Sequence, residues 1–196
     1  MTEREKMLAG MTYDAFDDDL KEARIRAKLL CRKFNDLFPD EVEKRTELLK
    51  ELLGKTGKNI WVEQPFLCDY GDNIEVGDNF YANYNLVVLD CAKVTIGDNA
   101  FIAPNVGIYT AAHPIVAEQR NSGMEFAAPI TIGNNVWIGG GTQICPGVTI
   151  GDNTVIGAGS VVTKDIPANV VAAGVPCRVL RKITLDDMIP TSEGEV

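Results

Sequence analysis

Aliphatic residues recur every six positions through the second half of this chain, at Ile132, Ile138, Ile144, Ile150, Ile156 and Val162. An amphipathic helix repeats every three or four residues and a half-buried strand every two, so a six-residue beat fits neither. It predicts a parallel β-helix, a solenoid of short flat strands joined by tight corners. Gly133, Gly139, Gly151 and Gly157 follow aliphatic positions. A residue without a side chain turns such a corner without a clash. Each aliphatic is expected to point inward and stack on its counterpart in the next coil, at the usual inter-strand distance of about 4.8 Å.

The beat continues upstream through Ile96, Ile102 and Ile108, through Val76, Ala82 and Val88, and more weakly through Ile60 and Phe66. Small insertions shift the phase near residues 67–75 and 89–95. A larger break, residues 109–129, separates Ile108 from Ile132 and carries His113, Pro114, Glu125 and Pro129. It reads as a loop extruded from a solenoid spanning 58–184, and loops on rigid scaffolds are where chemistry concentrates.

Residues 1–57 follow a different period. Leu20, Ala23, Ala27, Leu30 and Phe34 interleave with Arg24, Arg26, Lys28, Arg32 and Lys33, which predicts an amphipathic helix. A second helix is predicted from Glu41 to Leu53, started by Pro39-Asp40 and stopped by Gly54. An open coil exposes apolar core and unpaired backbone, so a helical N-terminal cap over the first coil is expected. Gly54-Lys55-Thr56 resembles the end of a phosphate loop, but Leu49 stands where that motif needs Gly. Residues 185–196 read as a loosely held acidic tail.

Composition narrows the classes. No apolar run approaches the roughly 18–20 residues that span a bilayer, and the charged start leads into no signal-like apolar stretch. Five scattered cysteines with no CxxC pair favour free thiols and a cytoplasmic setting over a disulfide frame or zinc site. A net charge of −9 argues against a nucleic-acid binder. Residues 58–196 hold seven Lys or Arg, and four of them (Lys164, Arg178, Arg181, Lys182) lie in the last coil and beyond. That cluster suits an anionic ligand, or equally a solvated terminus.

His113 is the only histidine. A lone loop histidine is commonly a solvated side chain. Here it stands at the base of the one long interruption and is followed by Pro114, which restricts the backbone around it. An imidazole is the commonest general base, and one histidine rules out a three-histidine zinc site within one chain.

Three stretches carry a family likeness: Pro129-Ile-Thr-Ile-Gly-Asn-Asn-Val-Trp-Ile-Gly139, Ile144-Cys-Pro-Gly-Val-Thr-Ile-Gly151 and Val161-Val-Thr-Lys-Asp-Ile-Pro167. Beside them stand Cys68-Asp-Tyr-Gly71, Asn79-Phe-Tyr-Ala-Asn83, Ile108-Tyr-Thr-Ala-Ala-His-Pro114 and Val170-Val-Ala-Ala-Gly-Val-Pro176. The chain resembles the hexapeptide-repeat acyltransferases, and within them the maltose and galactoside O-acetyltransferases. The resemblance implies a left-handed parallel β-helix, assembled as a homotrimer with active sites between subunits. It also implies transfer of an acetyl group from acetyl-CoA to a sugar hydroxyl, with no metal, nucleic acid or membrane involved.

By the same resemblance His113 is the catalytic base, and Asp69, Tyr81 and Asn83 line the acceptor pocket. A backbone N–H near Gly140 stabilises the oxyanion. Gly140, Ala158, Thr163, Lys164, Arg178 and Arg181 meet the cofactor. Small residues leave room for a pantetheine arm, and the cations suit phosphates. Galactoside enzymes carry Asp where this chain has Ala15 and Cys91, which turns the expectation toward a maltose or glucose acceptor. Other hydroxyl acceptors, and a non-catalytic scaffold, are the alternatives. A zinc carbonic anhydrase on the same solenoid is a further enzyme class that the single histidine argues against.

Overall fold

The computed structural model describes residues 1–189. Three helices come first: α1 (Glu3–Leu8), α2 (Asp18–Asn35) and α3 (Val42–Leu52). α1 escapes the periodicity reading because it is only six residues long. Its local signal is a capping box, in which Thr2 accepts from the Glu5 N–H and the Glu5 carboxylate accepts from the Thr2 N–H. Asp17 caps α2 through the Asp19 N–H. α2 buries Leu20, Ala27, Leu30, Cys31 and Phe34, four of them from the predicted stripe. α3 ends where Gly54 meets the solenoid: a Cβ there would lie 2.1 Å from the Asp72 carbonyl oxygen.

The rest winds as a parallel solenoid with three faces. The first face stacks Lys55–Thr56, Ile74–Val76, Val94–Ile96, Ile130–Ile132 and Thr149–Ile150. The second stacks Trp61–Val62, Tyr81–Ala82, Phe101–Ile102, Trp137–Ile138, Val155–Ile156 and Val170–Ala173. The third stacks Phe66–Cys68, Leu86–Leu89, Gly107–Tyr109, Gln143–Ile144 and Val161–Val162. The register pairs Ile132 with Ile96 and Ile150, Ile138 with Ile102 and Ile156, and Ile144 with Ile108 and Val162. These side chains are fully or almost fully buried, and each contributes roughly 1.5–3 kcal/mol by leaving water. In the first coil the stacked positions are Thr56, Val62 and Cys68. Ile60 and Phe66 are buried too but sit two residues ahead of that beat.

The corners need glycine for the expected reason, and the neighbour that a side chain would strike is the next coil. Gly133, Gly139, Gly151 and Gly157 have ordinary negative φ, and what excludes a side chain is the next coil: a Cβ on Gly139 would meet the Ala158 nitrogen at 2.5 Å. Left-handed turns fall on other glycines, such as Gly141, Gly147 and Gly159, and on a series of asparagines. Asn59, Asn79, Asn99, Asn135, Asn153 and Asn169 all have φ between 54° and 61°, a region Asn tolerates better than other side-chain-bearing residues. Their amides form one ladder up the solenoid, each Nδ2 donating to the next Oδ1 at 2.8–3.0 Å.

All three phase slips leave at one edge, between the third face and the first. They are residues 69–73, 90–93 and 110–129. The longest is a paired excursion rather than an open loop. Ala111–Ala112 pairs antiparallel with Met124–Ala127, which pairs with Tyr13–Asp14 from the cap; a short helix α4 (Ala117–Asn121) lies at its tip. A second small core seals this junction, built from Met7, Tyr13, Ala15, Leu20, Tyr70, Cys91, Ala92 and Ala127. At the far end Arg178–Lys182 folds back antiparallel on Val170–Ala173. A 3-10 turn at Leu185–Asp187 follows. The remainder of the acidic tail, 190–196, lies outside the described residues.

Candidate active site

The small three-stranded sheet sets the site. Its register puts Glu125 opposite Tyr13 on one side and, one step beyond the Ala112–Phe126 pair, opposite His113 on the other. The Tyr13 hydroxyl donates to Glu125 Oε2 at 2.9 Å. Glu125 Oε1 lies 3.9 Å from His113 Nε2, outside hydrogen-bond reach. The imidazole is 59% exposed and the following Pro114 is buried, so the ring projects from a fixed backbone.

Beside it opens a cavity of about 260 Å³, lined by Ala15, Arg24, Lys28, Asp69, Cys91 and Glu125, with Phe16 and Tyr70. Burial raises the Asp69 carboxyl above its ordinary value. The Cys91 thiol donates to Asp69 Oδ2 at 3.6 Å, and burial pushes that thiol up to about 12, keeping it a protonated donor. Fully buried Asp90 holds the corner beneath: its Oδ1 accepts from the N–H groups of Asp69 and Tyr70 at 3.0 and 2.9 Å. Burial pushes the Asp90 carboxyl up to about 6. Arg24 is held by the Tyr70 hydroxyl and the Ala15 carbonyl. Ala15, Arg24 and Tyr70 come together only through the fold. Their sequence signal is weak, because nothing local ties the start of the cap to the corner at residue 70.

The expected site residues divide between two edges of the third face. Asp69 and His113 lie on the edge shared with the first face, as do Thr163 and Lys164, which precede the bridge from Ile166 to Ile150. Asn83, Gly140 and Ala158 lie on the opposite edge, in corners joining the second face to the third. Arg178 pairs with Ala173 at that same end of the second face. Tyr81 sits on the second face, 6.2 Å from Phe101 between ring centroids. With the exposed Trp61, Phe101 and Trp137, half-buried Tyr81 forms an aromatic stripe in register, of which only Tyr81 is an expected site residue. Neither Tyr81 nor Asn83 reaches the cavity beside His113. One strand's length, roughly 15 Å, separates the two edges.

The cofactor set is unevenly free. Arg181 makes a two-pronged pair with Asp187, 2.7 Å on one side, and that pairing holds the Asp187 carboxyl down at about 2. Lys164 and Arg178 have no carboxylate partner among the described residues. The Gly140 N–H makes no hydrogen bond among the described residues, although both neighbours, Gly139 and Gly141, donate to carbonyls. Among the described residues no cluster of His, Cys, Asp and Glu is arranged to hold a metal, and no helix is long and apolar enough to cross a membrane.

Residues 129–164 match the bacterial transferase hexapeptide family as six repeats. Residues 6–57 match the maltose acetyltransferase hexapeptide capping motif. A galactoside O-acetyltransferase of Escherichia coli is 55% identical over 93% of this chain and 89% of its own length. A putative acetyltransferase of Saccharomyces cerevisiae is 58% identical over 96% of each. The solved structure of a maltose O-acetyltransferase from Clostridium difficile 630 superposes with a TM-score of 0.93 at 60% identity, covering 94% of this chain and 98% of that one. A galactoside acetyltransferase in complex with coenzyme A does so with a TM-score of 0.93 at 55% identity, covering 95% and 94%. The chain belongs to the maltose and galactoside O-acetyltransferase family of hexapeptide-repeat enzymes.

Proposed function

We propose that this protein transfers the acetyl group of acetyl-CoA to a sugar hydroxyl, of the maltose or glucose type, in sites formed between the subunits of a homotrimer. The observation that carries the shared site is the division of its residues. His113 and Asp69 border one edge of the third face and Asn83 and Gly140 the other, so no single chain assembles them. A threefold packing that sets one protomer's His113 edge against its neighbour's Asn83 edge brings both halves to one cleft. Free thiols at all five cysteines support a cytoplasmic setting.

In that cleft the acceptor occupies the cavity beside Asp69, and its hydroxyl faces His113. The hydroxyl oxygen forms a bond to the thioester carbonyl carbon as His113 takes its proton. The Gly140 N–H is a donor for the developing oxyanion, since it has no competing partner to give up. The carbon–sulfur bond then breaks, and the proton held on His113 passes to the departing sulfur. Lys164 and Arg178 suit the cofactor phosphates, with Arg181 available once it leaves Asp187. The exposed corner at Ala158 leaves room for the pantetheine arm, and Thr163 meets the cofactor from the other edge. Ala15 and Cys91 line the cavity, so two carboxylates that the resemblance associates with galactoside acceptors are missing there. That favours the maltose and glucose branch.

Release of CoA thiol from acetyl-CoA, followed across maltose, glucose and galactosides, tests this reading. Maltose or glucose is expected to give the highest kcat/KM. His113→Ala is expected to lose about 10²–10⁴-fold in rate and to remain a trimer near three times 21.3 kDa by light scattering. A fully active monomer would defeat the shared site, and an active His113→Ala would remove the assigned base.

A further inference from the structure

We propose that Glu125 is a positioning residue for His113, held in place by a hydroxyl that the N-terminal cap supplies through Tyr13. The inference rests on the acetyltransferase reading above and adds a group which that reading does not use.

Glu125 is the central member of a cross-strand row. Tyr13 and His113 occupy the facing positions on the two outer strands of the small sheet, where side chains on one face meet. Tyr13 is fully buried, and its hydroxyl hydrogen goes to Glu125 Oε2. Burial and the neighbouring acids raise that phenol further above its ordinary value, so it remains a donor. With Oε2 tethered, Oε1 is the oxygen left to face His113 Nε2, at 3.9 Å. An opposite charge at that distance favours the protonated imidazole that forms as the acceptor hydroxyl gives up its hydrogen.

Other charged and titratable groups share the cavity with Glu125, Lys28 among them without a carboxylate partner among the described residues. Arg24 and Lys28 come from α2, and Asp69 and Cys91 from the two corners below. Arg24 is committed to Tyr70 and Ala15, and Cys91 to Asp69. Glu125 is therefore the carboxylate whose remaining oxygen is directed at the histidine. This also gives the cap a second role, since the strand that carries Tyr13 sets the electrostatics of a loop more than 100 residues downstream.

The test is steady-state kinetics on Glu125→Gln, Tyr13→Phe, His113→Ala and the Glu125→Gln/His113→Ala double variant, each checked for trimer size. Glu125→Gln is expected to lower kcat about tenfold or more, with the KM values for acetyl-CoA and acceptor little changed. Tyr13→Phe, which frees the carboxylate without removing it, is expected to show a smaller loss in the same parameter. Glu125→Asp is expected to recover part of the Gln variant's loss. The double variant is expected to be no slower than His113→Ala alone, because a group acting through His113 has nothing left to act on. An active wild type with an unaffected Glu125→Gln overturns the proposal. So does a change confined to acceptor KM, which would make Glu125 an acceptor ligand, and so do losses that multiply in the double variant. A wild type that transfers acetyl to no sugar overturns the functional reading itself, and this inference with it.

Discussion

At the scale of single residues, Asp90 gives a sharp expectation. It is fully buried, its Oδ1 holds two backbone N–H groups, and its Oδ2 has no partner among the described residues. Burial raises its carboxyl to about 6, above the ordinary value near 3.9. A raised value means the folded state binds the proton more tightly. The stability so contributed is full below about pH 4 and is lost as pH rises through about 6, on the order of 2–3 kcal/mol. Asp90→Asn keeps an oxygen for both N–H groups and removes the titration. Urea unfolding should therefore show the variant gaining on wild type between pH 4 and 7, and a pH-independent difference would mean Asp90 does not titrate there. His113 was legible because it is the one imidazole and stands in the one long break. Ala15 is legible only through the family resemblance, and Tyr13 and Arg24 are not legible as site residues. Their partners at Glu125 and Tyr70 are distant in sequence, and no local period links them.

Among the elements, the six-residue beat and the helical cap were readable because each is a local repetition. The glycines after the aliphatic positions avoid a clash, as expected, while the corners from the first face to the second turn on asparagines whose side chains are hydrogen bonded from coil to coil. Asn135 combines both duties: φ is 55°, and its amide bonds both Asn99 and Asn153. Replacing it with Ala leaves a Cβ in a left-handed turn without the polar side chain that eases it there, out of a left-handed penalty of about 1–2 kcal/mol, and breaks two hydrogen bonds. Asn135→Ala is expected to cost about 2 kcal/mol in chemical unfolding and Asn135→Gly about half of that, because Gly keeps the conformation and loses only the ladder. Equal costs would mean the turn conformation matters little. The excursion at 109–129 read as loop because its strands are two and four residues long, too short to declare a period.

For the whole molecule, what the periodicity could not give was the placement of the three phase slips on one edge. Each insertion is visible alone, but their alignment depends on how many residues each coil takes up. That alignment brings Asp69, Cys91 and His113 together, and it leaves Asn83 and Gly140 facing the other way. The proposed trimer follows from this asymmetry.

The strict register between coils has a further consequence, because it makes the solenoid a ruler. The coil that carries His113 stacks Ile108 on Ile144 and Ile144 on Val162, so Lys164 stands two steps of about 4.8 Å from the histidine's coil. Successive turns here differ by 18 residues. Excising residues 133–150 joins Ile132 to Gly151 with the beat intact and sets Ala158 in the corner that Gly140 occupied, and the shortened protein is expected to fold with cooperative unfolding. Its cation would then stand one graduation too near the base, and acetyl-CoA, whose arm has a fixed length, should bind with a raised KM. If cofactor affinity were unchanged, the number of coils would not be what measures the cofactor.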